Sequence, residues 1–439
     1  MDPLLLSLFV LIVTVAVLFS GVSVSIGLII VSIFFIVWQD GTYGLAILPE
    51  VLFGKLDSFA LLSIPMFILM GAAVASSRAG ADLYAMLERW LTRVPGGLVV
   101  SNLGACALFS AMSGSSPATC AAIGKMGIPE MIKRGYPKGV AAGSIAAGGT
   151  LGILIPPSVT MIVYGIATET SIGRLFLAGI LPGLMLTALF MAWAIWSTWR
   201  QAGAHVVVSN IKYTLAEKLE LAPKIVPFLL IIVGVLYALY GGVATPSEAA
   251  GVGAAFCVLL AVVIYGMWRG KALFHVFRDC TKESVMIMVI IGASGMFGFM
   301  LSSLYITQSI AEWIIDLQLN PWALMAMINL FLLCAGFFLP PVAVILMTAP
   351  ILLPIITEAG FDPYWFAVVL TINMEIGLIT PPVGLNLYVI NGIAPDIRLQ
   401  TILWGSLPYV GCMVLAIVLL CIFPGIATWF PEFLMGPAV

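Results

Sequence analysis

The chain has 439 residues, 62% of them hydrophobic and only 9% charged, with a formal net charge of -2. No soluble globular class reaches that balance, and the many apolar runs of roughly 18 residues or more mark a polytopic membrane protein whose main surroundings are a lipid bilayer. No basic cluster with interleaved aromatics occurs, so nucleic acid is not an expected partner. The seven cysteines are scattered, mostly in apolar runs, without a CxxC pair, which suits packing better than metal binding or disulfides.

In chain order, Leu4–Leu18 and Gly21–Trp38 read as two short spans joined at Ser20-Gly21. The N-terminal MDPLLLSLFV carries Asp2 and no basic residue, and a second apolar run follows at once, as expected of a retained span and not a cleaved signal peptide. A polar connection with Asp40, Glu50, Lys55 and Asp57 leads to a span at Phe59–Ala75 and an amphipathic interfacial helix at Ala79–Val94. Gly96–Met112 and Ala118–Ile132 flank the small polar stretch SGSSP, Ser113–Pro117. Neither arm is long enough for a secure crossing, so a re-entrant hairpin, returning to the side it entered from, fits better. Ser116 before Pro117 is a sound helix start, with an N-cap hydroxyl and proline in the first turn. Gly139–Ala167 is a broken span, Leu175–Trp199 crosses back, and Arg200–Lys224 is the longest polar loop.

The second half repeats this order. Ile225–Tyr240 and Ala249–Trp268 span, with TPSEAAG (Thr245–Gly251) between them. A basic amphipathic stretch, Arg269–Lys282, precedes a span from Ser284 to Leu304, and Thr307–Leu319 is a second interfacial segment. Pro321–Phe338, Leu339-Pro340-Pro341 and Val342–Ile356 form the second hairpin; Tyr364–Ala394 is the second broken span and Thr401–Phe423 the last crossing. His205 and His275 fall in loops and form no metal pair.

The equivalence is visible residue by residue. GTLGILIPPS at Gly149–Ser158 matches MEIGLITPPV at Met374–Val383, with Gly152 and Gly377, Pro156 and Pro381, and Pro157 and Pro382 each 225 residues apart. A double proline removes backbone donors and clashes with the preceding turn, so carbonyls lose their helical partners. In lipid that is tolerated only inside protein or beside a wet cavity, and paired interruptions in corresponding halves point to a transporter's binding site. A plain kink is the alternative, and duplication argues against it. The organisation is therefore a first repeat, 1–199 (scaffold spans 4–38, hairpin 96–132, broken helix 139–167), a cytoplasmic connecting loop, 200–224, and a second repeat, 225–439 (scaffold spans 225–268, hairpin 321–356, broken helix 364–394).

Charge sets the orientation. With Arg200–Lys224 on the cytoplasmic side, the basic residues at 78–93, 133–138, 212–224 and 269–282, with Arg398, all fall inside. Of the eighteen Lys and Arg only Lys55 and Arg174 fall outside, and Lys125 lies in the first hairpin. The first hairpin then opens from the cytoplasm and the second from outside, which makes the repeats inverted and puts both termini on the periplasmic side.

A hard monovalent cation needs several oxygens at fixed spacing. Ser110 and Ser113 lie three apart on one helical face, and carbonyls freed between Gly152 and Pro157, including that of Ile155, can complete a cage. By the repeat, Gly336 near the second tip faces Gly377, Thr380 and Val383. Tight packing of small residues is the alternative for the serines. Residues placed to meet a substrate are Ser115, Ser116, Pro156 and Ser158 in the first half, and Pro340, Pro341, Glu375, Pro381 and Asn386 in the second. Glu375 is an intramembrane carboxylate and so a functional candidate; Glu248 serves either ion coupling or the charge of a helix start. Asn373 and Asn386 serve either ligand contacts or interhelical hydrogen bonds. No Walker A, HExxH or GxSxG pattern occurs, so neither ATP hydrolysis nor enzyme chemistry is expected.

SGSSPATCAAIG (Ser113–Gly124), GTLGILIPPS, TPSEAAGVGA (Thr245–Ala254) and NMEIGLITPPVGLNLYVINGIA (Asn373–Ala394) resemble the large membrane subunit, the DctM-like permease, of tripartite ATP-independent periplasmic (TRAP) transporters. The resemblance covers essentially the whole chain. It implies an all-α, elevator-type secondary transporter in a bacterial inner membrane that imports a small organic anion, such as a C4-dicarboxylate or sialic acid, by symport with sodium ions and without an organic cofactor. It also implies two partners, a small membrane subunit and a periplasmic substrate-binding protein. Family members are expected to carry an acidic and a small polar residue at the second tip. Leu339-Pro340-Pro341 stands there in this chain, which leaves backbone groups as that tip's ligands. A channel is the alternative from another class, since channels also use re-entrant hairpins.

Overall fold

The computed structural model describes residues 3–91, 96–201, 213–268, 270–316 and 319–436. Arg93, His205, Lys212 and Arg269 lie outside these residues. Every regular element among the described residues is helical, and nine of them are long and apolar enough to cross a membrane.

The first half runs α1 (Pro3–Phe19), α2 (Val24–Asp40), a 3-10 stretch (Gly41–Ile47), α3 (Leu48–Leu56), α4 (Ser63–Ser76), α5 (Ala79–Leu91), α6 (Gly97–Ser113), α7 (Ser116–Lys133), α8 (Lys138–Thr150), α9 (Val159–Thr168) and α10 (Ile172–Gln201). The short helix α11 (Leu215–Leu219) falls in the connecting loop. The second half runs α12 (Ala222–Tyr240), α13 (Pro246–Tyr265), α14 (Gly270–Ser303), α15 (Ile306–Asp316), α16 (Pro321–Phe338), α17 (Pro341–Glu358), α18 (Pro363–Leu378), α19 (Leu385–Ile393), α20 (Leu399–Ile422) and α21 (Gly425–Met435).

The polar connection from Asp40 to Asp57 is helical from Gly41 to Leu56: Pro49 sits in the first turn of α3, where its missing N–H costs nothing. One expectation about the elements changes. From Gly270 onward, the basic amphipathic stretch expected up to Lys282 and the span after it are one 34-residue helix, α14, with His275 inside it and not in a loop. No proline interrupts that segment, so a change from polar to apolar faces does not end the helix. At 1.5 Å per residue α14 is about 51 Å long, well beyond a hydrocarbon core of roughly 30 Å. Its polar N-terminal turns therefore extend past the apolar layer.

The halves are interlocked by exchange. α2 of the first half packs on α14 of the second, and α13 of the second packs on α4 of the first. Likewise α9 lies on the second hairpin's returning arm α17, while α19 lies on the first hairpin's returning arm α7. Amphipathic α5 and α15 touch α12 and α1, respectively. Small residues permit the closest crossing: α8, KGVAAGSIAAGGT, is buried from Ala141 to Thr150 and packs extensively against α20. A Cβ on Gly405 would collide with the Gly139 carbonyl carbon at 2.6 Å, so only glycine lets these backbones meet. A smaller apolar cluster joins the scaffold to α14 through Val31, Phe35, Met296 and Met300.

With the basic residues inside, single cysteines replacing Lys133 and Lys218 are expected to react with a membrane-impermeant reagent only from the cytoplasm, and those replacing Asp57 and Glu358 only from outside. Hairpin bases labelled from the same side would end the inverted arrangement.

Candidate functional site

The first hairpin turns at Gly114, whose left-handed φ of 61° suits glycine. The tip rests on the broken helix of its own half, backbone against backbone. A Cβ on Gly152 would stand 2.6 Å from the Ser115 carbonyl carbon and 2.7 Å from the Ser116 nitrogen; one on Gly114 would stand 2.7 Å from the Pro157 oxygen. Between α8 and α9 only a single 3-10 turn, Leu151–Ile153, is regular. The Pro156-Pro157 peptide bond in this break is cis.

Ser110 and Ser113 are both buried and converge on Thr119, with hydroxyl oxygens 3.5 and 3.0 Å from its own. Thr119 in turn donates to the Ser115 carbonyl at 2.9 Å. Sequence reasoning missed Thr119. The available signal was its place in the first turn of α7, where a side chain leans back toward the helix start and hence toward the tip. The N-cap is Ser115, not Ser116 as expected, and Ser116 is the first helical residue. The first turn has spare N–H groups whichever residue begins it, and the Ser116 hydroxyl is drawn to the Thr150 carbonyl at 3.1 Å. Ser158 is committed to structure: it donates to the Ile153 carbonyl at 2.5 Å and caps α9 by accepting from the Met161 N–H at 3.3 Å.

The second half repeats the seat with different side chains. A Cβ on Gly377 would lie 2.7 Å from the Gly336 carbonyl carbon, and the Val383 N–H donates to the Phe337 carbonyl at 3.1 Å. Thr380 donates to the Ile376 carbonyl at 2.6 Å, leaving its oxygen lone pairs available. Pro381-Pro382 is also cis. Pro340 ends the turn, and Pro341 opens α17 in its first turn. The two seats differ in cover: Pro156, Pro157 and Ser158 are buried, whereas Pro340, Pro381, Pro382 and Val383 are exposed.

The remaining polar candidates separate. Asn373 donates to Asn329 of α16 and to the Val369 carbonyl at 3.0 Å, an interhelical hydrogen bond between α18 and the second hairpin. Asn386 donates to the Ala146 carbonyl at 3.3 Å, and its own buried side-chain oxygen has no hydrogen-bond partner. Glu375 is fully buried with neither carboxylate oxygen hydrogen-bonded. Glu248 closes a capping box at the start of α13, accepting from the Thr245 N–H and hydroxyl, each at 2.8 Å. It is a helix-start charge. Lys125 is exposed on α7. Among the described residues no group of three or more His, Cys, Asp or Glu could hold a metal ion. Each seat instead offers neutral hydroxyl and carbonyl oxygens, the donor set of a hard monovalent cation at a helix break.

Comparison with known proteins accords with this geometry. The family model described as tripartite ATP-independent periplasmic transporter, DctM component, matches residues 11–426. The C4-dicarboxylate TRAP transporter large permease protein DctM of Pseudomonas aeruginosa is 38% identical over 383 residues, 87% of this chain and 88% of that protein. Its namesake in Vibrio cholerae is 35% identical over 457 residues, 98% of each chain. The solved structure of the Alcanivorax borkumensis YdaH transporter shares the fold, with a TM-score of 0.63 over 89% of this chain and 90% of that one at 16% identity. The chain belongs to the family of DctM components, the large permeases, of tripartite ATP-independent periplasmic transporters.

Proposed function

We propose that this permease imports a small organic anion, a C4-dicarboxylate, sialic acid or related carboxylate, across the bacterial inner membrane by symport with sodium. A small membrane subunit docks on the scaffold helices α1, α2, α12 and α13, and a periplasmic substrate-binding protein delivers the anion. The observation that carries this reading is the pair of matching seats, Gly152 under Ser115-Ser116 and Gly377 under Gly336. Each places a hairpin tip on a broken helix and gathers uncharged oxygens at a point where backbone carbonyls have lost helical partners.

Sodium sits at Ser110, Ser113, Thr119 and the carbonyls of Gly152–Pro157, and again at Gly336, Gly377, Thr380 and Val383. The anion binds between the tips. Lys125 is the only Lys or Arg in either hairpin, so the anion meets the N–H groups and positive dipole end at the start of α7. Nearby sodium adds positive charge, which makes the two bind cooperatively. Hairpins and broken helices move past the scaffold as one body and carry the site with them.

The test is uptake by proteoliposomes containing both membrane subunits, fed by the cognate binding protein. Accumulation against a gradient that collapses without sodium is expected; passive equilibration would favour a channel. Thr380→Ala removes one side-chain oxygen from the second sodium site. It should shift the sodium dependence to higher concentration while leaving insertion intact, and an unchanged titration would count against that site.

A further inference from the structure

A cavity of about 450 Å3 lies at the far end of the second hairpin from its tip, where α16 begins, α17 ends, α18 begins and α21 passes by. Its volume is within the roughly 300–1,000 Å3 typical of small-ligand sites. Three aromatic rings line it in a row. Trp322 meets Phe361 edge-on at 5.3 Å, and Phe361 stacks on Trp365 at 5.4 Å and 14°. The Trp365 indole N–H donates to the Leu420 carbonyl at 2.8 Å, which fixes the most buried ring.

Asp362 and Glu432 add two carboxylates, with Thr428 on the same face of α21 as Glu432. No Lys or Arg lines the cavity, and neither carboxylate forms an ion pair among the described residues. The helix starts of α16 and α18 would otherwise favour an anion. They are already capped: the Asn320 side chain accepts from the Trp322 N–H at 2.9 Å, and Asp362 from the Trp365 N–H at 2.7 Å. What remains is a negatively charged pocket with aromatic walls.

We propose that this cavity binds a small alkylammonium group, its charge held by Asp362 and Glu432 and its methyl or methylene groups against Trp322 and Phe361. An alkylammonium is large and weakly hydrated, so aromatic faces compete well with water for it. Trp429 and Phe433 stack at 5.4 Å on an exposed side of α21, and exposed tryptophan is typical of the aromatic belt at a membrane interface. A phospholipid headgroup and a free amine can both reach the cavity. This cation site lies away from the tips, and it stands whether or not the sodium and anion assignments do.

The test uses the full-length protein with two probes. Choline chloride is titrated against sodium chloride at equal ionic strength while thermal stability is followed. Retention of phosphatidylethanolamine against phosphatidylglycerol is measured by native mass spectrometry. Glu432→Gln, which keeps the shape, and Trp322→Ala, at an exposed helix start, are each expected to weaken the ammonium ligand roughly fivefold or more. Trp429→Ala, outside the cavity, should not. Choline stabilisation without lipid preference assigns the site to free amines; ethanolamine-lipid retention that choline competes away assigns it to a headgroup. If wild-type protein prefers neither choline nor phosphatidylethanolamine, or if both variants bind as wild type does, the proposal is overturned. Impaired docking of the binding protein in these variants, without ammonium binding, would also overturn it.

Discussion

Gly377→Ala is expected to reduce sodium-driven uptake at least tenfold while the protein still inserts and folds. The added Cβ would collide with the carbonyl group of Gly336, 2.7 Å from its carbon and 3.2 Å from the Gly336 Cα. All these atoms are backbone, so no side-chain rotation relieves the clash. α16 must back away, taking the Gly336 carbonyl off the proposed sodium site and stretching the Val383–Phe337 hydrogen bond. Overpacking of this kind typically costs about 1–3 kcal/mol, and about 1.4 kcal/mol is tenfold in an equilibrium. If the tip reseats in every cycle, as the proposed mechanism requires, that penalty falls on the working conformation more than on the fold. Gly152→Ala should behave alike, since its Cβ would meet Ser115 and Ser116 backbone. Gly411→Ala, with nothing within 4 Å, is the control. Initial uptake rates at saturating sodium, with thermal stability measured alongside, decide the matter: if Gly377→Ala transports as fast as Gly411→Ala, the seat is not part of the cycle.

Tying the second hairpin to the scaffold is expected to stop transport outright. Phe19, at the end of α1, and Phe338, at the hairpin tip, meet edge-on with ring centroids 5.2 Å apart. Cysteines at these two positions, in a background without the native cysteines (Cys334 is exposed), can be joined by a short bifunctional reagent. If hairpins and broken helices move as a body, the joined protein is held in one arrangement. Uptake then falls to background and returns when a cleavable linker is cut, while sodium binding measured by thermal shift persists. Transport at the full rate in the joined protein would remove the moving-body mechanism and favour a gated pore.

The hairpins and broken helices were legible in the chain because their signals are local. Pro156-Pro157 and Pro381-Pro382 end a helix wherever it lies, since a missing donor needs no partner to take effect. SGSSP divides arms that read as too short for a secure crossing, Leu339-Pro340-Pro341 divides two arms that are each long and apolar enough to cross, and the structure turns at both stretches. The 225-residue offset matches Gly152 with Gly377, and the expectation that Gly336 of the second tip faces Gly377 followed from it, because a repeat carries geometric information from one half to the other.

What the chain could not reveal depends on partners distant in sequence. Between Gly270 and Ser303 the change from polar to apolar residues reads as a boundary, although no proline there ends a helix, and only the structure joins the two stretches in one. Whether Asn373 held a ligand or another helix was open until Asn329 lay beside it. Thr119 joined Ser110 and Ser113 only once α6 and α7 were laid against each other. Hydropathy marks α2, α4, α13 and α14 as apolar but not which covers which, since an apolar face accepts any partner of suitable shape. The exchange of α2 onto α14 and of α13 onto α4 was decided by tertiary packing, where glycines such as Gly253, whose Cβ would press on Met70 and Val235, set how closely two helices approach.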